Sequence, residues 1–315
     1  ISSSRVVLGN QQLRDSSWAP LQGERVVVLT NPSGVFADTL EHLVDVMYRE
    51  QSVYNSYELV AIFGPEHGFR GEKQAETSDP AVPYTDNATG LPVYSAYALS
   101  VEQMSDLFIS QNITSVVVDM QDIGVRLYTF IWTMYNVMNA TTLASTVVTN
   151  SLSSVNLGDR SGMKVIVCDR PNPLSGVLVD GPLVDMQCCS SGYGLAPIPH
   201  VHGMTIGELS LLFHDKYLPH PENVEVEVIK VSGWDRVDTW TDMLHREAGR
   251  LDLTWVPPSP NIPTPMSALA YPSTCFLEAT TVAEGRGTTT PFEMFGAPFI
   301  KDPQVLLYTY NVQSI

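Results

Sequence analysis

Glu66 stands in the string Gly64-Pro65-Glu66-His67-Gly68-Phe69-Arg70-Gly71, between a proline and a histidine in a turn bounded by glycines. A carboxyl in such a turn can be partly desolvated and its pKa raised toward use as a general acid. The competing account is a turn residue that only accepts backbone hydrogen bonds. Glycoside hydrolysis pairs an acid with a second carboxylate, and Asp119, Asp122 and Asp169 are the candidates. Each of them can instead cap a helix or pair with Arg126 or Arg170. Arg70, Arg126, Arg170 and Arg286 lie in glycine- and proline-bounded segments, where a guanidinium can hold an anionic substrate in a fork. Ordinary salt bridges are the alternative. His200 and His202 would point to one side of an extended chain, the geometry of a metal pair, so a metal-dependent hydrolase is the second reading. No third ligand is indicated by spacing.

The elements that must position these groups are short Val- and Ile-rich runs alternating with helical stretches. This is the pattern of an α/β protein with a mostly parallel sheet covered on both faces. The runs Arg25 to Thr30, Leu59 to Phe63, Ser115 to Asp119 and Lys164 to Asp169 are expected as central strands. Ligands of such sheets bind beyond the carboxyl ends of the strands, and all four runs end in polar, punctuated segments. Asp38 is expected to cap a helix carrying Leu40, Leu43, Val44 and Met47 on one face, and a third helix is expected after Tyr128. Ser100 with Gln103, and Thr205 with Glu208, read as capping boxes. After Tyr217 the texture turns proline-rich around an alternating strand, Val224 to Val231. The chain therefore divides into a catalytic region over 1–217 and a smaller α+β region over 218–315.

Composition narrows the classes further. With 44% apolar and 16% charged residues the chain can bury a large core, and its net charge of −17 argues against nucleic acid as a partner. No apolar run approaches the roughly 20 residues that span a bilayer. Neither G-x-G-x-x-G after the first strand, nor a Walker loop, nor a G-x-S-x-G elbow is present, which disfavours nucleotide cofactors and serine-hydrolase chemistry. The four cysteines lack CxxC spacing. Sequons at Asn87, Asn112 and Asn139 suit a secreted glycoprotein. Ile1 in place of methionine, and an end inside the structured-looking segment Val305 to Val312, give the expectation of a trimmed chain.

Six strings in order resemble the exo-β-N-acetylmuramidase NamZ family. They are GPEHGFRG (64–71), DMQDIGVRLY (119–128), DRPNP (169–173), HGMTIGE (202–208), PSPNIPT (258–264) and AEGRGTTTPFE (283–293). The chain departs from the family's usual residues at Ser273 and over Leu277 to Thr280. The resemblance implies a Rossmann-like, doubly wound domain with a smaller C-terminal domain and a site in the cleft between them. It implies hydrolysis of the β-1,4 bond of terminal, non-reducing N-acetylmuramic acid in peptidoglycan fragments; the motifs, spacing and hydropathy above give the expectation of no cofactor, no metal and no membrane insertion. Glu66 takes the place of the family's catalytic glutamate, with Asp119 and Asp122 as assisting carboxylates. Substrate contacts are expected from His67, Arg70, Gln121, Arg126, Tyr128, Asp169, Arg170, Asn172, His202, Glu284 and Arg286, with Asn31 added from the first strand end. A peptidoglycan-binding protein that kept the cleft and lost turnover is the non-enzymatic alternative. Oligomeric state is left open.

Overall fold

The computed structural model describes residues 5–54, 56–71, 73, 82–150, 162–245 and 253–302; the segment Val305 to Val312 lies outside them. The four expected strands form as β1 (Glu24–Thr30), β2 (Tyr57–Gly64), β5 (Ser115–Asp119) and β6 (Met163–Cys168). With β3 (Tyr84–Thr85), β4 (Pro92–Ser95) and β7 (Val224–Ile229) they make one sheet of order β3-β4-β2-β1-β5-β6-β7. Every pairing is parallel except β3 with β4. Chain order reverses between β1 and β5, which places their carboxyl ends at a topological switch point.

Alternation along the strands assigns the two faces. Val27, Leu29, Val116, Val118, Val165 and Val167 pack beneath α3 (Val101–Ser110), α4 (Phe130–Asn150), α5 (Ile206–Lys216) and α7 (Pro265–Thr274). Val26, Val28, Val117 and Ile166 face the other way, onto α1 (Gly9–Asp15) and α2 (Leu43–Tyr54). Successive side chains of a strand point to opposite faces, so a continuous apolar run serves both layers. A third cluster joins Val6 and Leu8 to Trp240 and Met243 of α6 (Trp240–His245).

Both capping boxes form: Ser100 accepts from the Gln103 amide and Thr205 from the Glu208 amide, and each partner side chain reaches back to the cap residue. Two expectations are corrected. Asp38 does not cap α2; His42 does, its Nδ1 accepting from the Val44 amide at 3.3 Å. Leu40 is exposed at φ +58°, because the chain loops back through a Val35–His42 bridge before the helix begins. The strand expected at Val224 to Val231 does not belong to a separate smaller region: β7 pairs with β6 from Met163↔Val224 to Cys168↔Ile229, as the last strand of the main sheet. Its half-exposed alternation reflects an edge strand.

Candidate active site

Glu66 sits at the tip of the turn that follows β2. The turn is tight: a Cβ on Gly64 would lie 2.9 Å from the Phe69 amide nitrogen, and His67 and Gly68 take φ of +74° and +78°. Placing a histidine in the left-handed region is a strain that the surrounding packing must hold. It projects Glu66 toward the start of α4, where Thr129 Oγ1 donates to Glu66 Oε2 at 2.8 Å.

Around these two residues lies an open cleft of about 560 Å³, counting the solvent at its mouth. Its walls come from segments remote in sequence: Glu66 and His67 after β2, Leu127 to Thr129 after β5, and Tyr193 from the loop before α5. Ser259, Asn261 and Ile262, Tyr271 on α7, and Glu278, Arg286 and Phe292 complete them. One wall is aromatic. Tyr128 packs on Phe130 at 4.5 Å and edge-on to Tyr271 at 5.9 Å, and Tyr271 meets Phe292 at 4.8 Å. Burial pushes the phenols of Tyr128 and Tyr271 well up, so both are neutral hydrogen-bonding groups. Burial also lowers His67 below the usual imidazole value, against the opposing pull of Glu66, and so favours a neutral ring.

Arg286 stands opposite, stacked over Phe292 at 5.7 Å. It pairs with Glu278 and donates from Nε to Glu284 at 2.9 Å. Burial raises the Glu278 carboxyl while Arg286 pulls it back. Tyr193 is more than half exposed at the rim, on a loop that Arg126 closes. Arg126 Nη1 donates to the carbonyls of Pro182 at 2.6 Å and Ile198 at 2.8 Å, the two ends of that loop.

Most of the other candidates do not line this cleft. They form a buried polar network beneath the switch point. Asp119, with no exposed surface, accepts from Arg170 Nε at 2.6 Å and from Asn10 Nδ2 at 3.0 Å. Asn31 accepts from the Ser33 amide and hydroxyl and donates to the Gln121 carbonyl. The Gln121 amide group donates to the carbonyls of Asp122 and Pro171. Asp122 Oδ2 accepts from the Gly124 amide at 2.7 Å and bonds His202 Nε2 at 3.3 Å. Gly124, at φ +81°, lies so close to Asn172 that a Cβ would fall 2.4 Å from its Oδ1. Asn172 donates to the Met204 carbonyl, and Asp169, raised by burial, accepts from the Gly207 amide in the first turn of α5. Arg70 lies apart, forked between Asp45 at 2.6 Å and Asp86 at 3.0 Å and stacked on Phe69. His200 Nε2 bonds the Pro272 carbonyl at 2.9 Å. Among the described residues, no three His, Cys, Asp or Glu side chains gather as metal donors.

Residues 26–266 match the family model for exo-β-N-acetylmuramidase NamZ, N-terminal, and residues 269–315 match the corresponding C-terminal model. The chain belongs to the NamZ family. A Bacillus subtilis (strain 168) protein named peptidoglycan β-N-acetylmuramidase NamZ is 38% identical over 285 residues, which is 90% of this chain and 60% of that protein. The chain thus spans three fifths of its curated relative's length. Two crystal structures of DUF1343 family proteins from Bacteroides fragilis superpose with TM-scores of 0.79 and 0.71, at 30% and 32% identity. They cover 98% and 95% of this chain, and 70% and 69% of their own chains are matched.

In this NamZ-family chain, four of the expected site residues meet at the cleft: Glu66, His67, Tyr128 and Arg286, with Glu284 directly behind Arg286. Cleft residues absent from the expected set are Leu127, Thr129, Tyr193, Ser259, Asn261, Ile262, Tyr271, Glu278 and Phe292. Thr129 directly follows the string 119–128, Ser259, Asn261 and Ile262 lie inside 258–264, and Phe292 lies inside 283–293. Each of these had a signal in its neighbours. Tyr193 had none, because only the fold brings its loop over the turn at Glu66.

Proposed function

We propose that this chain is a glycosidase that releases terminal, non-reducing N-acetylmuramic acid from peptidoglycan fragments, with Glu66 as the general acid. One observation carries the assignment. Of the two carboxylates lining the cleft, Glu278 is held by Arg286, whereas Glu66 accepts from a neutral threonine hydroxyl. A carboxyl without a cationic partner among the described residues is the one suited to carry a proton to the glycosidic oxygen as the C1–O bond breaks. Glu278 lines the same cleft and is the second carboxylate of this reading, assisting the attack of water. Asp119 is held by Arg170 and Asn10, and Asp122 Oδ2 by the Gly124 amide and His202, in the network below.

The substrate fits the remaining walls. Tyr128, Tyr271 and Phe292 offer apolar faces to a sugar ring, and N-acetylmuramic acid carries a lactyl carboxylate for Arg286. A guanidinium has five donors, so Arg286 can keep its glutamates and still bind that group. Secretion belongs to the same reading, with Asn87, the exposed sequon, as the glycosylated position.

The test compares a chromogenic β-N-acetylmuramide with the matching β-N-acetylglucosaminide, in wild type and in Glu66→Gln. Release from the muramide alone, abolished in a Glu66→Gln protein of unchanged thermal midpoint, is the expected result. Full turnover by that folded variant would falsify the assignment of Glu66.

A further inference from the structure

Cys188 and Cys189 take no part in the cleft chemistry. They are adjacent in the chain and both exposed, and their Sγ atoms lie 2.7 Å apart. The other two cysteines, Cys168 and Cys275, are buried, and burial pushes the Cys275 thiol up to about 12. Buried thiols of this kind are inert, whereas exposed ones reach solvent oxidants. The solvent-exposed thiols of the described chain are therefore concentrated at one dipeptide.

The surrounding turn holds the pair in register. The Cys189 amide donates to the Asp185 carbonyl at 2.9 Å, and the Gln187 amide donates to Asp185 Oδ1 at 2.9 Å. This hydrogen-bonded turn presents both sulfurs on one side. The Cys188 thiol is raised, first by its contact with Cys189 and then by the slight burial of the site, with Asp185 adding to the effect. The same loop runs on to Tyr193 on the cleft rim and is pinned at its ends by Arg126.

We infer that Cys188 and Cys189 form a reversible vicinal dithiol–disulfide site whose reaction partner is a low-molecular-weight disulfide. One cysteine thiolate attacks the small disulfide, forming a mixed disulfide and releasing one small thiolate. The neighbouring thiolate then attacks the protein sulfur of that mixed disulfide, closing the Cys188–Cys189 bond and releasing the second small thiolate. Two protein thiols are oxidised and one small disulfide is reduced to two thiols, whose leaving thiolates take up the two protons that the protein thiols lost. Reversibility follows from geometry. The described backbone has no cis peptide, so the two Cα atoms are about 3.8 Å apart, short of the roughly 4.4–6.8 Å of ordinary disulfides. A strained, exposed bond belongs to the easily reduced class.

The experiment equilibrates the full chain with mixtures of reduced and oxidised glutathione, quenches with acid, and reads intact mass and peptide maps. It does not depend on the glycosidase reading. Wild type is expected to lose the mass of two hydrogens without retaining glutathione, with both sulfurs in the peptide spanning 188 and 189, and to recover its thiols on addition of reductant. Cys188→Ser is expected to keep one glutathione on Cys189, because no neighbouring thiol remains to displace it. Glutathione accumulating on wild type with no loss of two hydrogens would overturn the inference, as would a bond mapping to Cys168 or Cys275.

Discussion

Asp119 and Glu66 are both carboxylates at strand ends, and their surroundings give them opposite tasks. Asp119 is sealed against Arg170 and Asn10, so removing it strands a buried guanidinium. Asp119→Ala should cost about 3–5 kcal/mol of stability, visible as a fall in the urea unfolding midpoint. If Asp119 were instead a working catalytic group, Asp119→Asn would keep the wild-type midpoint and lose turnover. Arg286 acts on substrate charge in the proposed reaction. Arg286→Gln should raise KM for the muramide by about tenfold to a hundredfold, the loss of one charge-assisted hydrogen-bond pair, and leave the inhibition constant of N-acetylglucosamine, which lacks the lactyl group, nearly unchanged. An equal loss on both sugars would place Arg286 in the framework of the cleft.

At the scale of elements, one arginine fastens a whole loop. Arg126 is almost fully buried, and burial lowers its pKa; its guanidinium spends its bonds on carbonyls at 182 and 198. Read from the sequence, Arg126 was an anion-binding candidate. In the structure it holds both ends of the loop that carries Tyr193. Arg126→Ala should therefore speed protease cleavage within 183–197 and raise KM several-fold while changing kcat less. Fully retained protease resistance would show that the loop is held by its other contacts. The legible features at this scale were those with local causes. Both capping boxes and the four central strands follow from residues within a few positions of one another. The start of α2 was misplaced because His42 caps through its ring nitrogen, a role for which Ser, Thr, Asp and Asn are the usual candidates.

At the scale of the molecule, acid should loosen the fold. Burial holds His42, His67 and His200 below the ordinary imidazole value of 6.5. His42 shows why: its Nε2 bonds the Asn31 carbonyl and its Nδ1 accepts from Val44, a pattern only the neutral ring can make. Above pH 6.5 neither folded nor unfolded chain protonates these rings, so nothing is lost. Below it the unfolded chain takes up protons that the folded chain refuses, and stability falls until the lowered folded values are reached. Asp86 adds a second loss at lower pH: burial raises it, but Arg70 and Thr89 together hold it below its usual value. Asp169, raised by burial, works in the opposite sense. The thermal midpoint should be flat from about pH 7 to 8 and decline below about 6.5, with a shallower decline in His42→Asn. A midpoint that stays at its neutral value as the pH falls below about 6.5 would refute this account.

The sequence by itself determined the sheet, its central strands, both capping boxes and the turn that presents Glu66. Apolar period, cap residues and glycine placement act over a few residues and are written locally. The tertiary structure alone decided which polar strand ends became site and which became framework. Asp119, Asp122, Asp169 and Arg170 look as reactive in the string as Glu66 does. Only packing shows that Asp119 pairs with Arg170, Asp122 with the Gly124 amide and His202, and Asp169 with the Gly207 amide, while Glu66 faces a cleft walled by Tyr193, Tyr271 and Arg286, residues that lie 127 to 220 positions further along the chain.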